Sequence, residues 1–216
     1  MTNKFDDWEE IFLIGSHKFA ERQVGYFNIQ NTDRFAFKDN NFIFGYYHPL
    51  SEKFTLVTET AISPTHKILP KWSLFKQLAF SIDKGLLANF SLRHTEYNKS
   101  DVETAGIGAE YYFGNYHSAV TFYISDVQDA GRTNSVRAVI NYYYSDRGRV
   151  GLAVASGEEV ENVGFNRILE SDIRDITASL RHWFTDNCAV NFQLSWHDQG
   201  ESYVKKGIML GIRYKF

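Results

Sequence analysis

Seven histidines, His17, His48, His66, His94, His117, His182 and His197, are the first residues of this 216-residue chain that could hold a metal or move a proton. No two are spaced i, i+2, the separation that places two ligands on one face of a strand. Nucleophilic catalysis needs a hydroxyl or thiol beside an imidazole that a third group orients. His117 and Ser118 are adjacent, so on a strand they point to opposite faces. Ser195 and His197 share a face, but parity aims that face inward, away from lipid. Glu158, Glu159, Glu161, Glu170 and Asp172, with Asp126 and Asp129 before them, supply the oxygens that Ca²⁺ or Mg²⁺ prefer, without EF-hand spacing. They read as a solvated acidic loop. Cys188 is the single cysteine, so no intrachain disulfide can form. These patterns predict no catalytic residue, no metal site and no cofactor.

Composition narrows the class. The formal charge is −3, which leaves no polycationic footprint for nucleic acid. Aromatic residues make up 16%, with 18 Phe and 13 Tyr against 3 Pro. A mean hydropathy of −0.35 excludes a bundle of membrane-spanning helices, and no run approaches the roughly 18 apolar residues that such a helix needs. The first residues show no apolar core and cleavage site of a secretory leader. A soluble β-rich protein and a transmembrane β-barrel remain.

Period-2 alternation runs through the chain, and helical periodicity is absent. In the last segment Ile208, Leu210, Ile212, Tyr214 and Phe216 oppose Gly207, Met209, Gly211, Arg213 and Lys215. Val190, Phe192 and Leu194, and then Val136, Ala138 and Ile140, repeat the pattern. Strands are expected at 8–19, 22–37, 42–48, 54–62, 72–82, 86–97, 103–113, 116–125, 135–144, 149–156, 173–184, 188–197 and 203–216. Most are long enough to cross a membrane at a tilt. Short connections (20–22, 49–53, 83–85, 114–115, 145–148, 185–187) alternate with longer ones, notably 63–71, 126–134 and 157–172. Rings gather beside the short turns: Phe19, Tyr46, Tyr47, Phe80, Tyr111, Tyr112, Phe113, Tyr142, Tyr143, Tyr144, Trp183 and Phe184. A second belt is expected from Phe42, Trp72, Tyr97, Tyr123, Trp196 and Tyr203. Interfacial rings and unequal rims mark an outer-membrane barrel, whereas the aromatics of a soluble sandwich need not collect beside turns.

The expected fold is therefore all-β: one transmembrane antiparallel up-and-down β-barrel domain over residues 1–216. It has about 13 strands here and 12–14 in a complete barrel. Strand parity sends Glu59, Arg93, Glu110, Arg137, Asp175, Arg181, Lys205 and Arg213 toward the lumen. There they either pair with one another and brace the barrel or line a path for a solute or glycan, with Tyr112 and Tyr143 offering ring faces. Cys188 falls in the lipid-facing register.

The C-terminal Ile212-Arg-Tyr-Lys-Phe216 resembles the signal that outer-membrane proteins present to the barrel-assembly machinery, with Tyr214 and Phe216 its aromatic members. Five segments taken in order resemble the YaiO-type outer-membrane β-barrel family. They are Ser63-Pro-Thr-His-Lys-Ile-Leu-Pro70, Gly108-Ala-Glu-Tyr-Tyr-Phe-Gly-Asn-Tyr116, Tyr142-Tyr-Tyr-Ser-Asp-Arg-Gly148, Ala155-Ser-Gly-Glu-Glu159 and Gly207–Phe216. The resemblance implies the bacterial outer membrane, with lipid and lipopolysaccharide as surroundings and a kinship with exopolysaccharide secretion systems. It supplies no catalytic residue.

The expected role is non-enzymatic: passage of a solute or polysaccharide, or envelope structure. A lipid-modifying outer-membrane enzyme is the alternative, and a soluble ligand-binding barrel comes third. Thirteen strands would leave the first and last running parallel, which forbids antiparallel closure. Either one of the expected strands is in error or one upstream strand is missing, and the second predicts a parallel contact or a gap between the strand near Trp8–Phe19 and the last one.

Overall fold

Alternation becomes a meander in the computed structural model, which describes residues 7–128, 131–162 and 168–216. Thirteen strands follow one another: β1 (Glu9–Ala20), β2 (Gln23–Arg34), β3 (Phe37–Pro49), β4 (Phe54–Ile62) and β5 (Trp72–Asp83). Next come β6 (Leu86–Glu96), β7 (Asp101–Phe113), β8 (Tyr116–Val127) and β9 (Gly131–Tyr143). The chain ends with β10 (Arg149–Asn162), β11 (Ile168–Trp183), β12 (Cys188–Asp198) and β13 (Val204–Tyr214). Each strand pairs only with its sequence neighbours, in one 13-stranded antiparallel sheet.

Because directly opposed residues share a face, the register sorts every side chain. The outer face carries Ile208, Leu210 and Ile212, exposed by 78%, 72% and 80%. Through their ladder partners the same face takes Leu194, Phe192, Val190 and Cys188 on β12. The inner face is small and polar: Ser73, Ser91, Thr133, Asn141 and Ala189 are buried there. A globular core is replaced by an apolar exterior around a polar interior, the arrangement lipid imposes on a barrel.

Three expected boundaries change. The strand expected at 22–37 and the loop at 38–41 become two strands joined at 35–36, with Asn31, Thr32 and Asp33 laddered to Asn40, Asp39 and Lys38. Phe35 and Ala36 both adopt left-handed backbone, at φ 55° and 63°, without the glycine or asparagine that usually marks such a turn. The polar run stays in the sheet because Asn31 donates to Asn40 and the Asp39 carboxylate accepts from the Ile68 and Leu69 amides at 2.7 and 3.0 Å. The loop expected at 157–172 is mostly ladder, since pairing continues to Asn162↔Ile168. Glu158 and Asp172 are strand partners there, and the side chains of Glu159, Glu161 and Glu170 lie outside the described residues. Likewise β8 and β9 pair out to Val127↔Gly131, so 126–134 is no long loop. Of the connections on the loop rim, 63–71 remains long, and it is tied to β3 by the Asp39 bonds.

The belts separate by parity. At the turn rim, outward rings touch in series: Phe113–Tyr116 at 5.4 Å, Tyr116–Tyr142 at 5.0 Å, Phe54–Phe80 at 4.8 Å. Tyr47, Tyr112 and Tyr143 face inward instead. In the second belt Phe42, Trp72 and Trp196 point outward. Tyr123 does not, because its neighbours Phe122 and Ile124 hold the outer face at 57% and 54% exposure. Tyr97 lines an interior cavity with it, and Tyr203 is buried.

No ladder joins β1 to β13 among the described residues, and both descend from the loop rim to the turn rim. Aromatic contacts bridge the seam at its upper end. There Trp8, Phe35 and Tyr203 form an edge-to-face cluster with centroids 4.7–6.2 Å apart, and the Lys205 ammonium sits 4.4 Å from the Trp8 ring.

Candidate lumenal site

Pairing places the interior charges in two groups. On the β2–β8 wall, one continuous row of ladder partners runs Tyr26, Gly45, Glu59, Phe75, Arg93, Thr104. Glycine at 45 is required by close approach: a Cβ there would lie 2.0 Å from the Tyr26 ring. Across that space Tyr26 reaches the Glu59 carboxylate at 2.6 Å. Glu59 in turn pairs with the Arg93 guanidinium at 3.1 Å, over the face of Phe75, 4.7 Å from the Arg93 carbon. Arg93 also donates to Ser73.

Glu110, also on this wall, is held twice. The Asn89 amide donates to it at 2.6 Å and the His117 ring lies 3.1 Å away. Asn141 contacts the other ring nitrogen of His117 at 3.0 Å, and Tyr112 packs over the imidazole at 4.4 Å.

The β9–β13 wall differs. Asp175 has His197 at 3.4 Å and Thr177 at 3.0 Å, and His197 contacts Gln199 at 2.7 Å. Below it, Arg149 stands directly opposite Arg181 in the β10–β11 ladder. Arg181 donates to the neutral Asn191 at 2.9 Å and feels the like charges of both Arg149 and Arg213. Among the described residues no carboxylate pairs with Arg137, Arg149, Arg181 or Arg213.

Two cavities occupy the interior. One of about 430 Å³ is lined by Gln77, Glu110, Asn141, Arg149, Ser179 and Gln193, among others. The other, about 410 Å³, takes in Arg93, Ser125, Asp175 and His197. Arg137 and Tyr123 line both, so the two adjoin at those side chains.

All eight charges singled out by parity fall in the inward register. The structure brings Glu59 to Arg93, sets Glu110, Arg137 and Asp175 around the cavities, gathers Arg181 with Arg213 near the turn rim, and carries Lys205 to the seam. Sequence reasoning missed Arg149, although the outward Val150, Leu152 and Val154 fix its parity. It also missed Tyr26, His117 and His197 as partners of Glu59, Glu110 and Asp175, which depend on ladder register rather than spacing. Ser195 does not reach His197: its hydroxyl lies over Gly207, 2.5 Å from where a Cβ would stand. No group of three or more His, Cys, Asp or Glu among the described residues could hold a metal ion.

A family model described as the YaiO membrane beta barrel domain matches residues 1–161. No curated protein matches the chain. Solved outer-membrane structures share the fold, among them the following three. A KdgM porin in complex with disordered oligogalacturonate superposes with a TM-score of 0.55 at 8% identity, over 83% of this chain and 92% of that one. An anion-selective porin from Comamonas acidovorans gives 0.55 at 13% identity, over 96% and 89%. A bacterial polysaccharide outer membrane secretin gives 0.53 at 12%, over 96% and 79%.

Proposed function

The chain belongs to the YaiO membrane β-barrel family, and from that premise we propose that it is a passage for solutes or polysaccharide segments across the bacterial outer membrane. One observation carries the reading: two polar cavities adjoin at Arg137 and Tyr123 between the loop rim and the turn rim. A barrel whose interior served only as a brace would fill that volume with side chains. The porins sharing this fold, one of them complexed with oligogalacturonate, support the same reading.

In this role the apolar exterior contacts outer-membrane lipid and lipopolysaccharide, the Tyr214–Phe216 end is read by the assembly machinery, and exopolysaccharide secretion components are the fitting neighbours. Reconstituted in liposomes, the protein is expected to admit neutral sugars, seen as osmotic swelling faster than in protein-free vesicles. Swelling no faster than in those controls would overturn the passage.

A further inference from the structure

Resting on that reading, we propose that the β9–β13 wall is an anion track whose preferred solute is a carboxylate-bearing sugar. The argument starts from an electrostatic imbalance. Glu59, Glu110 and Asp175 each have a cationic or protonatable partner. Arg137, Arg149, Arg181 and Arg213 have no carboxylate partner among the described residues.

Like charges directly opposed in a ladder destabilise a sheet, and Arg149 faces Arg181 in that way. An interior built only for bracing would set a carboxylate between them. Their forks are instead left to a counter-ion that enters from solution. A guanidinium offers two parallel N–H donors, which match the two oxygens of a carboxylate.

The surroundings suit a sugar ring more than a bare ion. Tyr143 lies beside Arg149 in the ladder, and Tyr112 covers His117 two residues up the neighbouring wall. Asn141, Ser179 and Gln193 add hydrogen-bonding groups along the same cavity. Arg137, shared by both cavities, carries the positive potential from one to the other. The track thus runs from Arg137 to the Arg149, Arg181 and Arg213 group at the turn rim.

The test uses the full-length protein in planar bilayers and in liposomes. Zero-current potentials across a KCl gradient are expected to show chloride preference. Glucuronate, which differs from glucose by a carboxylate in place of a hydroxymethyl group, is expected to enter liposomes faster than glucose. A variant carrying Arg149→Gln, Arg181→Gln and Arg213→Gln should lose both preferences several-fold while still admitting glucose. Should that variant fail to fold, judged by heat-modifiable migration on gels, Arg149→Gln and Arg213→Gln tested singly should each show an intermediate loss.

Chloride preference without glucuronate preference would reduce the track to an inorganic-ion path and overturn the sugar assignment. Glucose entry with no charge preference would overturn the track and leave solute passage standing. A preference that survives all the Gln substitutions would overturn the assignment of these arginines. No entry of any solute would overturn both readings together.

Discussion

The β2–β8 wall and the β9–β13 wall belong to one sheet with one alternation, yet they handle interior charge in opposite ways. On the first, each carboxylate is held by two or more partners, and glycines make room for them: Tyr26 lies over Gly45 to reach Glu59. On the second, four arginines lack acidic partners among the described residues, and Gly211 has nothing within 4 Å of where its Cβ would be. Paired charges stiffen a wall but present little net field to a solute. Unpaired ones weaken the wall and stay available to bind. The same barrel can thus hold its shape on one side and present charge on the other.

The largest expected effect tests the distinction between inside and outside on which both walls depend. Leu210→Lys places a charge on the lipid face and should cost about 2–4 kcal/mol if it lies near the membrane midplane. Met209→Lys, one residue away and inward, should cost less than about 1 kcal/mol, because the charge enters a polar interior. Urea titrations of the protein folded into lipid vesicles read both. Equal costs would mean that β13 has no fixed face.

Next come the glycines. Gly45→Val pushes its side chain into the Tyr26 ring and forfeits the bond to Glu59, a loss of about 1–3 kcal/mol. Gly211→Ala should change stability by no more than about 0.5 kcal/mol, as is usual for open sites. If the two substitutions behaved alike, the tight wall would be no tighter than the other.

Charge removal should differ in sign between the walls. Glu59→Gln leaves Arg93 without its ion pair and should destabilise by about 1 kcal/mol, a modest figure because both groups are partly solvated. Arg181→Gln removes repulsion from Arg149 and Arg213 and should be neutral or stabilising by a few tenths of a kcal/mol. Added salt screens the same repulsion. It should therefore stabilise the wild type more than Arg181→Gln, which equilibrium unfolding at two ionic strengths would show.

Much of this was legible in the sequence, and the gaps have physical causes. Faces were readable because lipid demands an unbroken apolar row, as Ile208, Leu210 and Ile212 show. The inward register of eight charges followed from the same parity. Register was not readable, because a shift of two residues preserves every face. Thus Glu59 could be assigned inward but not matched to Arg93, and the opposition of Arg149 to Arg181 stayed hidden. Polar runs misled where the sheet stands clear of the apolar band: 38–41 and 157–162 look like loops, yet their backbones are laddered. The turn at 35–36 gave no signal, since Phe and Ala are poor choices for left-handed backbone.

That turn offers the last test, beside the seam between β1 and β13. Phe35 and Ala36 occupy left-handed backbone, which costs an L-residue roughly 1–2 kcal/mol relative to its usual regions. Glycine avoids this cost but has more freedom to lose on folding, by roughly 0.5–1 kcal/mol. Ala36→Gly should therefore stabilise the protein, by no more than about 1 kcal/mol, since Ala36 contributes only a methyl group. Phe35→Gly gains the same backbone relief. It also deletes the ring that packs 4.7 Å from Trp8 and 6.2 Å from Tyr203, contacts of about 0.5–1.5 kcal/mol each. Its net effect should be destabilising, and it should loosen the start of β1 from the start of β13, read as faster amide exchange at Trp8 and Lys205. If Phe35→Gly stabilised as Ala36→Gly does, the aromatic cluster would not hold the seam, and the strain in the turn would have no packing gain to offset it.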